Sequence, residues 1–308
     1  SPKMTTGIIE TPVTPAAHAW RFHDREAGDE AFVALAASLG SVFGPLAADH
    51  DRENTFVYEN FDLMRDAGYL RLAVPRELGG LGATMRQVCF AQAELARHCA
   101  STALAVNMHL YLTLSNVFRW RRGAPGAEAV LRRVASEGLV LMTSGGSDGI
   151  YTSATAVKEE GGYRISGRTS FGSGCEHATW LGFQAIVMEN GAPKIGPNGA
   201  PEMLIVHAPA KSARIVPHWD TLGMRGTGSH DFEVENLFVP ERYVWRMGPY
   251  APVNPAFTGG VSRIGVWWLS AAVASVSLGI ARAAIGDLEQ LAQTKVPGYS
   301  HTGLADRP

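Results

Sequence analysis

LVLMTSGGSDG, from Leu139 to Gly149, and GRTSFGSGCEHATW, from Gly167 to Trp180, are the two segments that decide the fold. A third segment of the same kind, WDTLGMRGTGSHD, runs from Trp219 to Asp231. Each places Gly, Ser and Thr beside apolar or β-branched residues, so backbone amides and small hydroxyls lie at strand ends where glycine lets the chain approach a ligand. The pattern predicts a site that holds the polar edge of a planar ring.

The sequence around these segments changes from a helical pattern to a strand pattern and back. Helical spacing of apolar residues predicts helices at 30–48, 58–67, 85–96 and 102–119, and again from about 261. Short β-branched and apolar runs predict strands at 139–142, 152–158, 163–166, 180–188, 203–207 and 232–239. The glycines at 161 and 162 indicate a hairpin. A β domain therefore lies between helical regions.

In this order, the three segments resemble the acyl-CoA dehydrogenase family, over a stretch from about Phe61 to Leu291. The resemblance implies an α+β fold with an N-terminal helical domain at residues 1–137 and a central β-barrel domain at 138–245. Residues 246–308 are then the start of a C-terminal helical bundle. The family continues for further helices, so the resemblance is to a truncated member.

The resemblance also implies an FAD site. Met142 and Thr143 match positions that meet the pyrimidine edge of the flavin. Phe171, Gly172 and Ser173 match positions that pack on the ring and face its N5 atom. The turn after Thr143 is shorter than in the family, which usually has Thr-Glu-Pro before its Gly-Ser-Asp.

Four further residues match positions that the family uses for its substrate. Ser147 is expected at the thioester or a phosphate, and Arg263 at the CoA end of the pocket. Met108 and His109 lie on the helix that lines the family's acyl cavity, with plain core packing as the alternative for each. The implied substrate is an acyl-CoA.

The implied reaction is FAD-dependent α,β-dehydrogenation of the acyl-CoA, in fatty acid metabolism. A carboxylate removes the α proton while a hydride passes to flavin N5. The family's glutamate base comes from later helices or from the helix that begins near Arg263, where this chain has Ser262. No residue of the chain is therefore assigned as the base, which is expected beyond Pro308. A homodimer or homotetramer that passes electrons to an electron-transfer flavoprotein is also implied.

The main alternative is a flavin monooxygenase of the same fold. The phrase SGCEHATW, with His177 near its centre, also resembles flavin monooxygenases that use reduced flavin from a separate reductase and molecular oxygen. An ordinary hydrogen bond is the other interpretation of this histidine. A non-catalytic assembly subunit is a third possibility, and flavin retention on purification separates it from the enzymes.

Composition narrows the choice of function. Among 308 residues, 27 basic side chains against 29 acidic ones leave a net charge of -2, which argues against nucleic acid as a partner. Gly145, Ser147 and Gly149 satisfy the GxSxG pattern of serine hydrolases, but the residues that follow predict a strand where that site needs a helix. The histidines form no HExxH motif, so no metal site is predicted.

Cysteine content and hydropathy bear on the compartment. Cys89, Cys99 and Cys175 form no CxxC pair, which fits a reducing cytoplasm, and the N-terminus lacks the pattern of a secretory signal. Ile264–Ala281 contains no charge and approaches the length of a membrane span. Small residues at helical spacing favour a core or subunit-interface helix there, so no membrane association is predicted.

Overall fold

We describe the protein from a computed structural model, which covers residue 26 and residues 28–124, 126–144, 152–197, 199–247 and 261–294. At residues 246–247 and 261–266 it describes the backbone only. The helices are α1 (Asp29–Glu53), α2 (Tyr58–Asp66), α3 (Met85–His98), α4 (Ala100–Trp120), α5 (Ala127–Glu137) and α6 (Val261–Thr294). All five predicted helices are confirmed, with ends that shift by a few residues. Helix α5 has no counterpart among the predicted elements.

The helical part is organised around α3, which packs against α1, α4 and α6. Helix α3 begins with a capping box, in which the Thr84 side chain and the Gln87 side chain each bond the other residue's backbone N–H. A single apolar cluster joins α1, α2, α3, α4 and α6, with Phe43, Phe61 and Leu110 among its fully buried members, whereas α5 packs in a separate cluster. Helices α1 to α4 and the first C-terminal helix therefore share one core.

Two helices of the described chain, α1 and residues 267–294 of α6, are long and apolar enough to cross a membrane by length and composition alone. A packed core helix passes the same test, so this is weak evidence. Both helices pack on α3 at glycines: Gly40 has no room for a side chain beside His98, and Gly279 has none beside Ala93. The inner face of α6 is buried at Ala272, but only 22% of its apolar window is buried and Trp267 and Leu288 are exposed. The helix is therefore not a fully buried core helix, and the predicted subunit interface stays a prediction.

The strands form one sheet. They are β1 (Leu141–Thr143), β2 (Thr155–Glu159), β3 (Gly162–Thr169), β4 (Trp180–Glu189), β5 (Ala192–Pro193), β6 (Met203–Pro209), β7 (Arg214–Val216), β8 (Asp231–Pro240) and β9 (Val244–Met247). The hydrogen-bonded order is β7-β8-β3-β2-β4-β6-β9, and β1 and β5 also pair with β4. The six predicted strands and the β2–β3 hairpin are confirmed. Strands β5, β7 and β9 were not predicted.

The sheet curls around a single apolar core. Phe183 on β4 and Phe232 on β8 pack edge to face with ring centroids 5.7 Å apart, although two strands lie between β4 and β8 in the sheet order. Met142, Tyr163 and Ile165 belong to the same buried cluster. Within the described residues the end strands β7 and β9 do not pair with each other. The central β domain is thus a strongly curled sheet.

Candidate functional site

The first predicted segment lies where two parallel strands share one edge of β4. Strand β1 pairs with the start of β4, and β2 pairs with its end. The Ser144 N–H donates to the Gly182 carbonyl at 3.0 Å, and the Thr152 hydroxyl donates to the Gln184 carbonyl at 2.8 Å. The backbone therefore leaves the edge of β4 beside Gly182 and returns to that edge beside Gln184, two residues further along the strand. Ser147 lies between these anchors, outside the described residues.

His109 on α4 fixes the position of β1. Its Nδ1 accepts a hydrogen bond from the Leu141 N–H at 3.0 Å, so the ring proton lies on Nε2, which donates to the Leu70 carbonyl. Burial lowers the pKa of His109 to about 4, so the ring is neutral. Both ring nitrogens are occupied and the residue is 1% exposed. This corrects the prediction that His109 contacts substrate: it is an anchoring residue.

Three predicted site residues lie close to His109: Met108, Met142 and Thr143. Met108 is buried at 7% exposure, which fits core packing. The Met142 side chain belongs to the apolar cluster inside the sheet and is 1% exposed, so a contact of this residue with the flavin would be made through its backbone and stays a prediction. The Thr143 hydroxyl donates to the Ser144 carbonyl at 2.9 Å, and the nearby Tyr111 hydroxyl has its pKa raised by burial. Thr143 and Tyr111 therefore lie near each other where β1 meets α4.

The second predicted segment forms a turn after β3. Phe171 has a left-handed backbone, with φ of 58°, and is 49% exposed. Its ring meets Trp219 edge to face at a centroid distance of 6.2 Å. The Gly172 N–H donates to the His230 carbonyl at 2.9 Å, and a side chain at Gly172 would come within 2.9 Å of that oxygen. The turn thus exposes the Phe171 ring at the surface. Only glycine fits at position 172, because a side chain there would collide with the His230 carbonyl.

Ser173 and His177 complete this turn. The Ser173 hydroxyl lies 2.8 Å from the Ser229 hydroxyl. His177 stacks on Phe61 with centroids 4.9 Å apart, and its Nε2 lies 3.4 Å from an Asp62 carboxylate oxygen. Desolvation lowers the pKa of His177, and its buried Nδ1 has no partner in the described part of the chain. The His177 ring packs the turn onto α2, and its Nδ1 is available for a hydrogen bond.

Helix α4 brings the two segments together. A side chain at Gly174 in the turn would touch the Ala105 carbonyl at 3.3 Å, and Tyr111 lies near Thr143. Ala105 and Tyr111 are six residues apart, which is about 9 Å along a helix and about 120° around it. The turn at 171–174 and the end of β1 therefore both contact α4.

A second group of polar side chains lies on the same face of the sheet as Thr143. Gly182 is in register with both Thr143 and His207, and a side chain at Gly182 would meet both. The ring centres of His207 and Trp245 lie 4.2 Å apart, with the ring planes tilted by 53°, and the Arg119 guanidinium carbon lies 3.7 Å from the Trp245 ring centre. Desolvation, then the Arg119 charge, lowers the pKa of His207 to about 3. No sequence pattern predicted this group, because its members are far apart in the chain.

Three further points concern Arg263, metal binding and the Cys175 thiol. Arg263 lies in the first turn of α6, where only the backbone is described. Among the described residues, no three His, Cys, Asp or Glu side chains could hold a metal ion. Cys175 is a free buried thiol with its pKa raised to about 12, mainly by burial.

A cavity of about 320 Å³ lies elsewhere, lined by Lys158, Glu189 and Lys194 among others. Its β4 wall begins at Val187, five residues from Gly182, which is about 17 Å along a strand. The cavity is therefore separate from the site beside α4.

The site contains groups that fit a flavin. Its polar groups are hydroxyls: Thr143, Ser173 and the buried Ser144 Oγ, which has no hydrogen-bond partner in the residues described here. An exposed aromatic ring, Phe171, lies beside them. Hydroxyls suit the polar edge of a heterocycle, and the aromatic ring suits its face.

Comparison with known proteins identifies the family. Residues 40–120 match the acyl-CoA dehydrogenase N-terminal domain. An amino sugar nitrososynthase of Streptomyces peucetius is 32% identical over 241 residues, which cover 77% of this chain and 57% of that protein. The oxygenase component of an FADH2-dependent resorcinol hydroxylase from Rhizobium is 27% identical over 212 residues, covering 69% of this chain and 48% of its own length.

A solved structure agrees with these matches. The protein KijD3, in complex with FMN and a dTDP-linked amino deoxysugar, is 26% identical, and the two structures align with a TM-score of 0.77 over 91% of this chain and 67% of that one. The chain spans about half the length of the two curated relatives. By sequence and by fold, the chain belongs to the acyl-CoA dehydrogenase-like flavoproteins.

Proposed function

We propose that the protein is the oxygenase component of a two-component flavin-dependent monooxygenase. It would take reduced flavin from a separate reductase and use molecular oxygen to oxidise a small organic substrate. The observation that carries the proposal is the similarity to a nitrososynthase and to an FADH2-dependent oxygenase component. Bound reduced flavin would supply the electrons that activate oxygen.

The chain's own residues have separate tasks in this proposal. Thr143, Ser144 and Ser173 bind the polar edge of the flavin through hydroxyls, and Phe171 covers its ring. His109 holds β1 in place from α4. FAD is the form that the family resemblance implies, whereas the solved relative contains FMN, so both are tested below.

The carboxylates next to the turn are engaged within the protein, and because the dehydrogenase base is expected beyond Pro308, they do not decide between the two reactions. A dehydrogenase needs a free carboxylate to remove the α proton. Glu176 is bonded by the Tyr58 hydroxyl and lies 3.3 Å from His230 Nε2. Asp62 is paired with Arg65 at 2.7 Å. Neither of these described carboxylates beside the turn is free to act as a base.

Acyl-CoA dehydrogenation is the second candidate. Its support is the match of residues 40–120 to the acyl-CoA dehydrogenase N-terminal domain. In that case the substrate is an acyl-CoA and the electron acceptor an electron-transfer flavoprotein, whereas in the first proposal the partner is a flavin reductase. A homodimer or homotetramer in the cytoplasm remains part of both proposals.

Two experiments on the full-length protein separate the candidates. In the first, the FAD-loaded protein is titrated without oxygen with a panel of acyl-CoA thioesters, and the flavin absorbance band is followed. In the second, NADH and a flavin reductase supply reduced FAD or FMN in air, and oxygen uptake is compared with product formed from amino sugar nucleotides and phenols. We expect no bleaching in the first and coupled product in the second. Bleaching by a thioester would overturn the monooxygenase proposal.

A further inference from the structure

Behind Ser173 lies a chain of hydroxyl groups that leads into the protein. Ser173 Oγ is 2.8 Å from Ser229 Oγ, and Ser229 Oγ is 2.6 Å from Thr227 Oγ1. The Thr227 hydroxyl in turn donates to the Met224 carbonyl at 2.9 Å. Thr227 and Ser229 are 0% and 2% exposed, whereas Ser173 is partly exposed. The chain therefore runs from the interior to the surface of the turn.

The last member determines the direction of every hydrogen bond in this chain. A carbonyl oxygen only accepts, so the single Thr227 hydroxyl proton is used on Met224. The contact between Ser229 and Thr227 then needs the Ser229 proton. The contact between Ser173 and Ser229 needs the Ser173 proton for the same reason. Ser173 therefore presents only lone pairs outward, as a hydrogen-bond acceptor.

Backbone strain marks the two ends of this arrangement. The described non-glycine residues with positive φ are Asn54, Asn190, Asn236, Phe171 and Met224. Asparagine tolerates the left-handed region, but Phe and Met do so at a cost. The two strained residues are Phe171, two positions before Ser173, and Met224, whose carbonyl accepts the last hydrogen bond of the hydroxyl chain. Strain of this kind is retained mainly at functional sites.

Backbone hydrogen bonds keep the two segments in register. The Gly172 N–H donates to the His230 carbonyl at 2.9 Å, and the Gly174 N–H donates to the Thr227 carbonyl at 3.0 Å. Ser173 lies between these two bonds, so its backbone is held beside Ser229 while the turn is closed. The acceptor character of Ser173 is therefore built into the fold.

We infer that Ser229 and Thr227 are positioning residues that hold Ser173 as an acceptor, so that the site selects a ligand with an N–H group at this point. The inference rests on the proposed function. Reduced flavin carries hydrogen on N5, whereas oxidised flavin has a lone pair there. The chain then discriminates in favour of the reduced form, which is the form that a reductase delivers.

The size of the effect follows from one hydrogen bond. To donate to oxidised flavin, Ser173 must give up its bond to Ser229 and leave that buried hydroxyl without its donor. A net hydrogen bond of this kind corresponds to about a fivefold change in binding constant. Reduced flavin requires no such rearrangement. Loss of the chain should therefore tighten oxidised flavin more than it affects reduced flavin.

The test is the ratio of the dissociation constants of oxidised and reduced FMN and FAD, measured anaerobically on the full-length protein. We expect Ser229→Ala and Thr227→Val each to lower this ratio about fivefold, because Ser173 becomes free to donate. The midpoint potential of bound flavin should fall by about 20 mV for a fivefold change, as an independent readout. Thr227→Ser keeps the hydroxyl and should retain the wild-type ratio.

Thr113→Val is the matched control, because Thr113 is 0% exposed and its hydroxyl also donates to a carbonyl, that of His109. It should leave the ratio unchanged. An unchanged ratio in Ser229→Ala and Thr227→Val, with flavin still bound, would overturn the inference and leave the proposed function intact. Failure of the wild-type protein to bind either flavin in either state would overturn both.

Discussion

The end of β1 and the turn after β3 both contact α4 but are built differently. At the end of β1, His109 uses both ring nitrogens and the Thr143 hydroxyl donates to the Ser144 carbonyl. In the turn, Phe171 is strained and half-exposed. Each region retains one buried polar atom without a described partner, Ser144 Oγ at the end of β1 and His177 Nδ1 in the turn, but the turn also presents an exposed ring.

This difference shows how a flavin site can be both rigid and available. The β1 side gains stability from its buried bonds and serves as a scaffold. The turn holds strain and unpaired groups, and such features lower stability unless a ligand uses them. We therefore expect substitution of His109 to act mainly on folding, and substitutions at Ser144 and in the turn to act on binding.

The largest effect is expected for His109→Ala. The change leaves the buried Leu141 N–H and Leu70 carbonyl unpaired and opens a cavity, so the free energy of unfolding should fall by about 3 to 5 kcal/mol. His177→Ala in the turn is the comparison, with an expected loss below about 2 kcal/mol, because the His177 ring makes only one long polar contact. Urea denaturation measures both. Equal losses would remove the contrast between the two regions.

The pH dependence of stability should report the same histidine. The pKa of His109 is about 4 in the folded state against an ordinary value of 6.5, so between these values the unfolded state binds more protons. Its contribution is complete above pH 6.5 and is lost as the pH falls toward 4, by about 3 kcal/mol in total. In His109→Gln, the free energy of unfolding measured by chemical denaturation should lose this pH dependence, about 3 kcal/mol between pH 6.5 and 4. A variant that retains the wild-type slope would contradict the assignment.

Phe171→Gly should separate stability from binding. Glycine adopts the left-handed backbone without strain, so the free energy of unfolding should rise by about 0.5 to 1 kcal/mol. Loss of the ring should weaken reduced flavin binding about tenfold. Asn236→Gly is the matched control, because Asn236 also has positive φ and tolerates it. Weaker folding with unchanged binding in Phe171→Gly would reverse our interpretation of the turn.

Ser144→Ala tests the smallest expected effect. Removal of a buried hydroxyl without a described partner should raise the free energy of unfolding by up to about 1 kcal/mol. Flavin binding should weaken about fivefold, because the ligand is the partner that this hydroxyl lacks. Ser136→Ala changes an exposed serine bonded to the Arg132 carbonyl and should alter neither quantity. Thermal melting and flavin titration measure the two effects.

Much of the fold follows from local sequence pattern. The helix of Met85–His98 has apolar residues at helical spacing and a Thr84 cap, and both signals are local. The strand β7 at Arg214–Val216 has three residues and is stabilised by pairing with β8, which no local pattern shows. Helix α5 has its buried positions at Leu131 and Val134, among many polar residues. Short or mostly exposed elements therefore escaped prediction.

The candidate site was predicted in part. The resemblance placed Thr143, Phe171 and Ser173 in two segments that the structure brings together on α4. It gave His109 a ligand contact, because it could not show that both ring nitrogens are used by backbone hydrogen bonds. The group around His207 depends on strand register and a helix end, so it appears only in the folded protein.

The most direct test of this account is a crystal structure of the full-length protein with bound FMN. We predict that the flavin lies beside α4, with its polar edge within hydrogen-bond distance of Ser173 Oγ and the β1 end, and with Phe171 against the ring. The result that would contradict the account is flavin bound elsewhere, for example in the cavity between Lys158 and Lys194, with the turn and the end of β1 free of ligand.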